Sequence, residues 1–228
     1  MRYHPLTTGW RFGTIEHPIG VSAASKECWA GELMEIDGFT VEALTPARFD
    51  DLGAVLGEGG IGGCWCMYWT TRTTAEWREN CRGGSTAPNK SGMLDLVAVG
   101  PPPGLVAYDD GEPVAWCRVV ARSTLPGLER STHFKTDLDI EGVWSLPCFV
   151  VRKEHRRRGL TETLIKAAIS FAADHGATAL EGYPWETTRD EAPMSIYTGV
   201  ASTFERLGFQ EVQRRAPHKP MMRLELEA

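Results

Sequence analysis

The chain has 228 residues, 42% hydrophobic and 24% charged, which allows a sizeable buried core and excludes a disordered polymer. Its 24 Lys and Arg stand against 30 Asp and Glu, a net charge of -6. That balance argues against nucleic-acid binding through phosphate neutralisation and suits an amine-bearing partner.

No apolar run approaches the roughly 18 residues of a membrane span. The residues after Met1 lack the apolar stretch of a signal peptide. Six cysteines with no export signal read as reduced thiols. The expectation is a cytoplasmic protein whose partners include neither nucleic acid nor membrane.

Residues 1–38 show no clear period and carry isolated aromatics (Tyr3, Trp10, Phe12, Trp29), so they read as an N-terminal extension. Met34 is either the natural start or part of an arm that packs on the domain; both readings stay open. The domain itself is expected over 39–228. Residues 39–44 alternate as a strand, and Thr45 caps a helix that opens at Pro46 with Phe49, Leu52, Val55 and Leu56 on one face. Glycines between 57 and 63 end it. Helices are expected from about 74 and over about 90–99, the second stopped by the prolines at 101 to 103.

Strands over 105–108 and 114–120 flank Asp109-Asp110-Gly111, the chemistry of a tight hairpin turn. Residues 121–139 read as a long polar connection. Residues 143–151 form a buried strand, with Pro147 marking an irregularity. Leu160, Leu164, Ile165, Ala168, Ile169 and Ala172 mark the inner face of a helix about four turns long. A strand over 177–183, a short helix over 198–207 and closing strands over 209–214 and 221–226 complete a mixed α/β chain without internal repeats.

The sharpest feature is Val150-Val151-Arg152-Lys153-Glu154-His155-Arg156-Arg157-Arg158-Gly159-Leu160-Thr161. A strand runs into a turn with five cations, and the turn opens an amphipathic helix. First-turn amides lack internal partners, the helix dipole adds a positive end, and Gly159 permits close backbone approach. In an acidic chain this reads as a diphosphate cradle.

Arg156-x-x-Gly159-x-Thr161 between strand and helix resembles the coenzyme-A motif of the GNAT acyltransferase superfamily, with Thr161 where Gly or Ala is usual. Phe204-Glu205-Arg206-Leu207-Gly208-Phe209 resembles that family's last helix and turn. The Cys-Trp-Cys-Met-Tyr-Trp segment at 64–69 and the Tyr-x-Gly-x-x-Ser-x-Phe segment at 197–204 resemble an uncharacterised bacterial subgroup. The resemblance implies a mixed, mostly antiparallel sheet of six to seven strands, flanked by helices and with a splayed central strand pair.

It further implies acetyl-CoA as acyl donor. The pantetheine arm would lie along Phe149, Val150 and Val151. The pyrophosphate would meet Arg156, Arg157, Arg158, Gly159, Leu160 and Thr161, and an amide near Phe149 or Val150 would polarise the thioester. The acceptor is expected to be a small-molecule or peptide amine. Homodimers are common in the family, which is the basis for expecting one here.

Phe204 occupies the position where many members place an acidic tyrosine, and Ser145 one where a base carboxylate often sits. The catalytic candidates are therefore Glu181, Tyr183 and Tyr197, with Glu141 as a further carboxylate. The segment after the first helix lines the family's acceptor pocket, so Cys64, Trp65, Tyr68 and Trp69 are expected substrate contacts. Packing in the core is the alternative for those rings. Gly57-Glu58-Gly59-Gly60-Ile61-Gly62 matches G-x-G-x-x-G but follows a helix, so it is not a dinucleotide site. Cys64-x-Cys66 with Cys81 lacks zinc spacing, and no metal is expected. Two other functions compete with acetyl transfer to such an amine: an idle acyl-CoA-binding module, and a toxin acetylating aminoacyl-tRNA. The acidic balance disfavours the toxin.

Overall fold

The computed structural model describes residues 33–57, 60–187 and 196–226. The strands are β1 (Met34–Ile36), β2 (Phe39–Ala43), β3 (Gly104–Asp109), β4 (Glu112–Ala121), β5 (Val143–Val151), β6 (Ala179–Gly182), β7 (Gln210–Arg214) and β8 (Pro220–Glu225). They form one eight-stranded sheet in the order β1-β2-β3-β4-β5-β6-β8-β7. The sheet is mixed and mostly antiparallel as expected, with more strands than the expected six to seven. Met34–Ile36, read in the sequence as part of the extension, adds an edge by pairing with β2. Residues 1–32 of that extension lie outside the described residues. Among these strands only β5 and β6 run parallel; a single parallel bridge outside them joins Trp185 and Val200.

Alternation of side chains on the strands builds a core on each face. Leu105 and Ala107 of β3, Ala115 and Cys117 of β4, and Phe149 of β5 pack on one side. There they meet Leu160, Leu164 and Ala168 of helix α5 (Leu160–Asp174). Val106, Tyr108, Trp116 and Val150 point the other way. They meet Phe49, Leu52 and Leu56 of α1 (Phe49–Leu56) and Met93 and Val97 of α3 (Ala87–Val99). Helix α2 (Thr74–Asn80) carries Thr73 as N-cap, its hydroxyl accepting from the Glu76 amide at 3.0 Å. Pro46–Arg48 winds as a 3-10 turn before α1, a tightening common at helix starts. The Asp109-Asp110-Gly111 turn has the left-handed residues a two-strand turn needs, Asp110 at φ 49° and Gly111 at φ 82°.

Residues 121–139 are not the plain connection expected from their polarity. They hold a 3-10 turn, Arg122–Thr124, and the short helix α4 (Pro126–Arg130). Leu125, Leu128 and Phe134 bury themselves with Val120, Tyr183 and Met221 in a third, smaller core. Apolar residues spaced unevenly among charges carry no period, which hid the element.

A buried polar knot joins this segment to the sheet. The Arg122 guanidinium donates to Glu181 Oε2 at 2.9 Å, the Tyr183 hydroxyl at 2.7 Å, Glu129 Oε1 at 2.8 Å and the Phe134 carbonyl at 3.0 Å. Arg223 of β8 donates to Glu181 Oε1 at 2.6 Å, and Ser145 of β5 lies 2.7 Å from the Tyr183 hydroxyl. Arg122, Glu181 and Tyr183 are all sealed from solvent. Removing one partner would leave the others charged or polar in a dry site. Arg122→Ala is expected to cost about 3–5 kcal/mol in urea unfolding. Glu129→Gln, whose side chain is half exposed, is expected to cost no more than about 1 kcal/mol. Equal, small losses from both would show that the knot does not hold the fold.

Candidate functional site

The β5–β6 ladder is short. Val143 to Leu146 pair with Ala179 to Gly182, and the pairing ends there. The next residue on β5 is Pro147, which has no N–H to offer a ladder. The β4–β5 register also shifts here, between Arg118 and Val120. Beyond this point the two strands part. The Phe149 amide donates instead to the carbonyl of Tyr197, at 2.5 Å. Residues 197–200 thus fill the gap, held by the Trp185 amide on the Gly199 carbonyl at 2.9 Å and the Ala201 amide on the Trp185 carbonyl at 2.8 Å. They lead into α6 (Ala201–Arg206).

At its far end β5 delivers the chain into the basic loop. Lys153–His155 form a 3-10 turn, Arg157 takes a left-handed φ of 67°, and Gly159 caps α5 at φ 84°. A side chain added at Gly159 would project into open space, so room for a ligand lies directly over the helix start. Leu160 turns inward and is buried; Thr161 is half-buried.

The five cations divide into two groups. Arg158 pairs with Asp109 at 2.5 Å and Arg152 with Glu112 at 2.5 Å, tying the loop to the β3–β4 turn. The Arg158 guanidinium holds the Asp109 carboxyl below the usual carboxylate range, so this tie persists at neutral pH. Arg156 spends only its Nε, donating to the Val151 carbonyl at 3.2 Å. Lys153, Arg156 and Arg157 make no ion pair among the described residues and are exposed. With the free first-turn amides, these three fit a diphosphate.

On the sheet face away from α5 lies a cavity of about 290 Å³. Pro147, Cys148 and Val150 of β5 form one wall, Cys64, Cys66, Tyr68 and Trp69 another, and Tyr197 stands at its side. Trp77 completes an aromatic corner, with Tyr68 centred 4.8 Å from Trp69 and 5.1 Å from Trp77, both edge-on. Among the described residues no carboxylate lines it.

The sequence-derived candidates are thus distributed unevenly. Cys64, Tyr68, Val150 and Tyr197 come together around the cavity. Trp65 packs in the core, stacked on Phe49 at 5.7 Å, and its indole lies where a side chain on Gly60 would stand. Gly60 in the discounted glycine run therefore serves packing. The Phe149 side chain is buried against Phe204, centroids 6.1 Å apart, and only its amide reaches the gap. Glu181 and Tyr183 belong to the polar knot, where both carboxylate oxygens of Glu181 are already engaged. Burial, and then the Glu181 charge, push the Tyr183 phenol well up. Glu141 is exposed. Trp77, Ile61 and Pro147 also line the cavity, and nothing in the sequence marks them as doing so; Trp77 stands among helical residues with no sign of its orientation. Among the described residues no group of three or more His, Cys, Asp or Glu is placed to hold a metal ion, and no helix is long and apolar enough to cross a membrane.

A search of curated proteins gives no match. Among solved structures, an N-acetyltransferase from Staphylococcus aureus Mu50 is similar at a TM-score of 0.51 and 10% identity, covering 83% of this chain and 99% of that one. A GNAT-family acetyltransferase from Listeria monocytogenes 4b F2365 is similar at a TM-score of 0.50 and 12% identity, covering 82% and 95%. At such identities the likeness speaks for the fold. The model of the acetyltransferase (GNAT) family matches residues 67–193. That match spans more than half of the chain, taking in the parted strands and the basic helix start, and the chain belongs to the acetyltransferase (GNAT) family.

Proposed function

We propose that this protein transfers an acetyl group from acetyl-CoA to a primary amine carried on an apolar body. The observation that carries the reading is the alignment along β5: an anion-ready helix start at one end, the parted edge in the middle, and a half-open apolar cavity beside it. Lys153, Arg156, Arg157 and the amides from Arg157 to Thr161 hold the diphosphate. Val150 and Val151 run beside the pantetheine arm. The Phe149 amide polarises the thioester carbonyl, taking it in place of the Tyr197 carbonyl it now meets.

The acceptor enters through the cavity walled by Tyr68, Trp69 and Trp77. Among the described residues no carboxylate stands there to extract a proton. The amine therefore arrives uncharged, and its nitrogen attacks the thioester carbon as the carbon–sulfur bond breaks. Water takes the ammonium proton, and Tyr197 returns one to the departing thiolate. Glu181 and Tyr183 contribute by fixing β6 through the Arg122 knot. An idle acyl-CoA-binding module is the second reading, favoured by the full burial of Phe204 and the want of a carboxylate in the cavity.

Calorimetric titration of acetyl-CoA tests the donor site. Arg156→Ala/Arg157→Ala is expected to weaken binding about a hundredfold, from two charge-assisted contacts of roughly 1.5 kcal/mol each. No binding by folded wild type would end the reading.

Turnover on a panel of amines separates the two functions. Tyr197→Phe is expected to lower kcat about a hundredfold while acetyl-CoA binding stays within about twofold of wild type. Binding without turnover on arylalkyl, aliphatic and peptide amines would favour the idle module. A pH–rate profile that rises with the acceptor's own pKa is expected; a plateau set by a protein group would require a general base in the chain.

A further inference from the structure

Beside the cavity sits a group of thiols that acyl transfer does not use. Cys66 Sγ and Cys148 Sγ lie 3.1 Å apart, on residues 82 positions apart in the chain. The Trp116 indole N–H donates to Cys66 Sγ at 3.3 Å. As placed, the Cys66 thiol donates to Cys148 Sγ; with Cys66 ionised the bond reverses, and Cys148 donates to a sulfur that already accepts from the indole. Both line the cavity, so a small molecule entering it meets them.

Behind them lies Arg118 of β4, 1% exposed, inside the apolar run that follows Glu112 in that strand. Its Nη1 donates to the Cys66 carbonyl, its Nε has no hydrogen-bond partner, and no carboxylate pairs with it among the described residues. A guanidinium does not give up its proton, and a buried charge requires a counter-charge. The ionisable groups facing it are thiols, Cys66 first and then Cys148 and Cys64. The buried carboxylate of Glu181 is spent on Arg122. Cys66 has two donors and a cation against its own burial, so its thiol titrates below the ordinary thiol range. Cys64, two residues away, is pushed up to about 11 by burial and then by the Cys66 charge.

We propose that Cys66 and Cys148 form a peroxide-reactive dithiol, with Cys66 the thiolate, beside the guanidinium that holds its carbonyl, and Cys148 the resolving thiol. The Cys66 thiolate attacks one oxygen of hydrogen peroxide, the O–O bond breaks, and the departing hydroxide takes a proton from solvent to become water. Cys66 is then a sulfenic acid. Cys148 sulfur attacks Cys66 sulfur, the S–O bond breaks, and the lost hydroxyl leaves as a second water with the Cys148 proton. Two electrons pass from the two sulfurs to the peroxide. The sulfurs close from 3.1 Å to roughly 2.05 Å, the length of a disulfide. The bond ties the loop after α1 to β5 across one wall of the cavity.

The test is hydrogen peroxide on the full chain at neutral pH, followed by intact mass and peptide mapping. The wild type is expected to lose the mass of two hydrogens, with Cys66 and Cys148 cross-linked and dithiothreitol reversing the change. Cys148→Ser is expected to stop at a sulfenic acid on Cys66 that dimedone traps. Cys66→Ser should consume peroxide about tenfold more slowly. Should Cys66→Ser fold poorly, iodoacetamide labelling of the wild type across pH decides the same question, since Cys66 should label at a pH where Cys64 does not. Unchanged wild-type mass, a cross-link through another cysteine, or Cys66 labelling only in the ordinary thiol range would overturn the proposal. None of these readouts involves acyl transfer, so failure here leaves the acetyl-CoA reading where its own titration puts it.

Discussion

The parting of β5 from β6 is the constraint on which the rest turns. Two parallel strands that pair for four residues and then separate leave backbone groups without a ladder, and such groups must find partners or lie open to a ligand. Pro147 enforces the break by removing a donor where the ladder would continue. Everything functional is placed relative to it. The Phe149 amide is freed by it, the cavity opens beside it, and four residues on, roughly 13 Å along the strand, the chain enters the basic loop.

Holding two strands apart requires that neither drift. The Arg122 knot secures the β6 side by gathering groups from β5, β6, β8 and the helix α4 around one guanidinium. Hydrophobic packing secures the β5 side, with Phe149 facing α5 and Val150 facing α1. The molecule buries two arginines at this seam and treats them oppositely. Arg122 is ringed by carboxylates and a phenol that meet its charge and both terminal nitrogens, although its Nε, like that of Arg118, has no partner. Arg118 has thiols and a lone carbonyl, which makes its surroundings chemically responsive.

Much of this was legible in the sequence. The hairpin turn, the β5 strand with its proline irregularity, the α5 period and the basic loop each had a local signal, because each depends on neighbours in the chain. The roles of Glu181 and Tyr183 did not. Their alternation on a strand says which face they share, but Arg122 and Arg223 approach from 59 and 42 residues away. Arg118 reads in the sequence as one more residue of the strand over 114–120, because its hydrogen-bond partner lies on a loop 52 residues away. Trp65 and Tyr68 looked alike in sequence; consecutive left-handed residues at Trp65 and Cys66 send one ring inward and leave the next for the cavity.

The division of charge in the basic loop has a consequence for how a ligand arrives. Arg152 and Arg158 are neutralised within the fold by Glu112 and Asp109, so the field reaching solvent comes from Lys153, Arg156 and Arg157. At physiological ionic strength that field dies within about 8 Å, while the molecule as a whole carries a net charge of -6. At low ionic strength, where screening reaches less far into both fields, a polyanionic ligand is repelled by the whole molecule from a distance and captured only near contact. Added salt relaxes the first effect before it weakens the second, so moderate ionic strength speeds association even as it loosens the bound state.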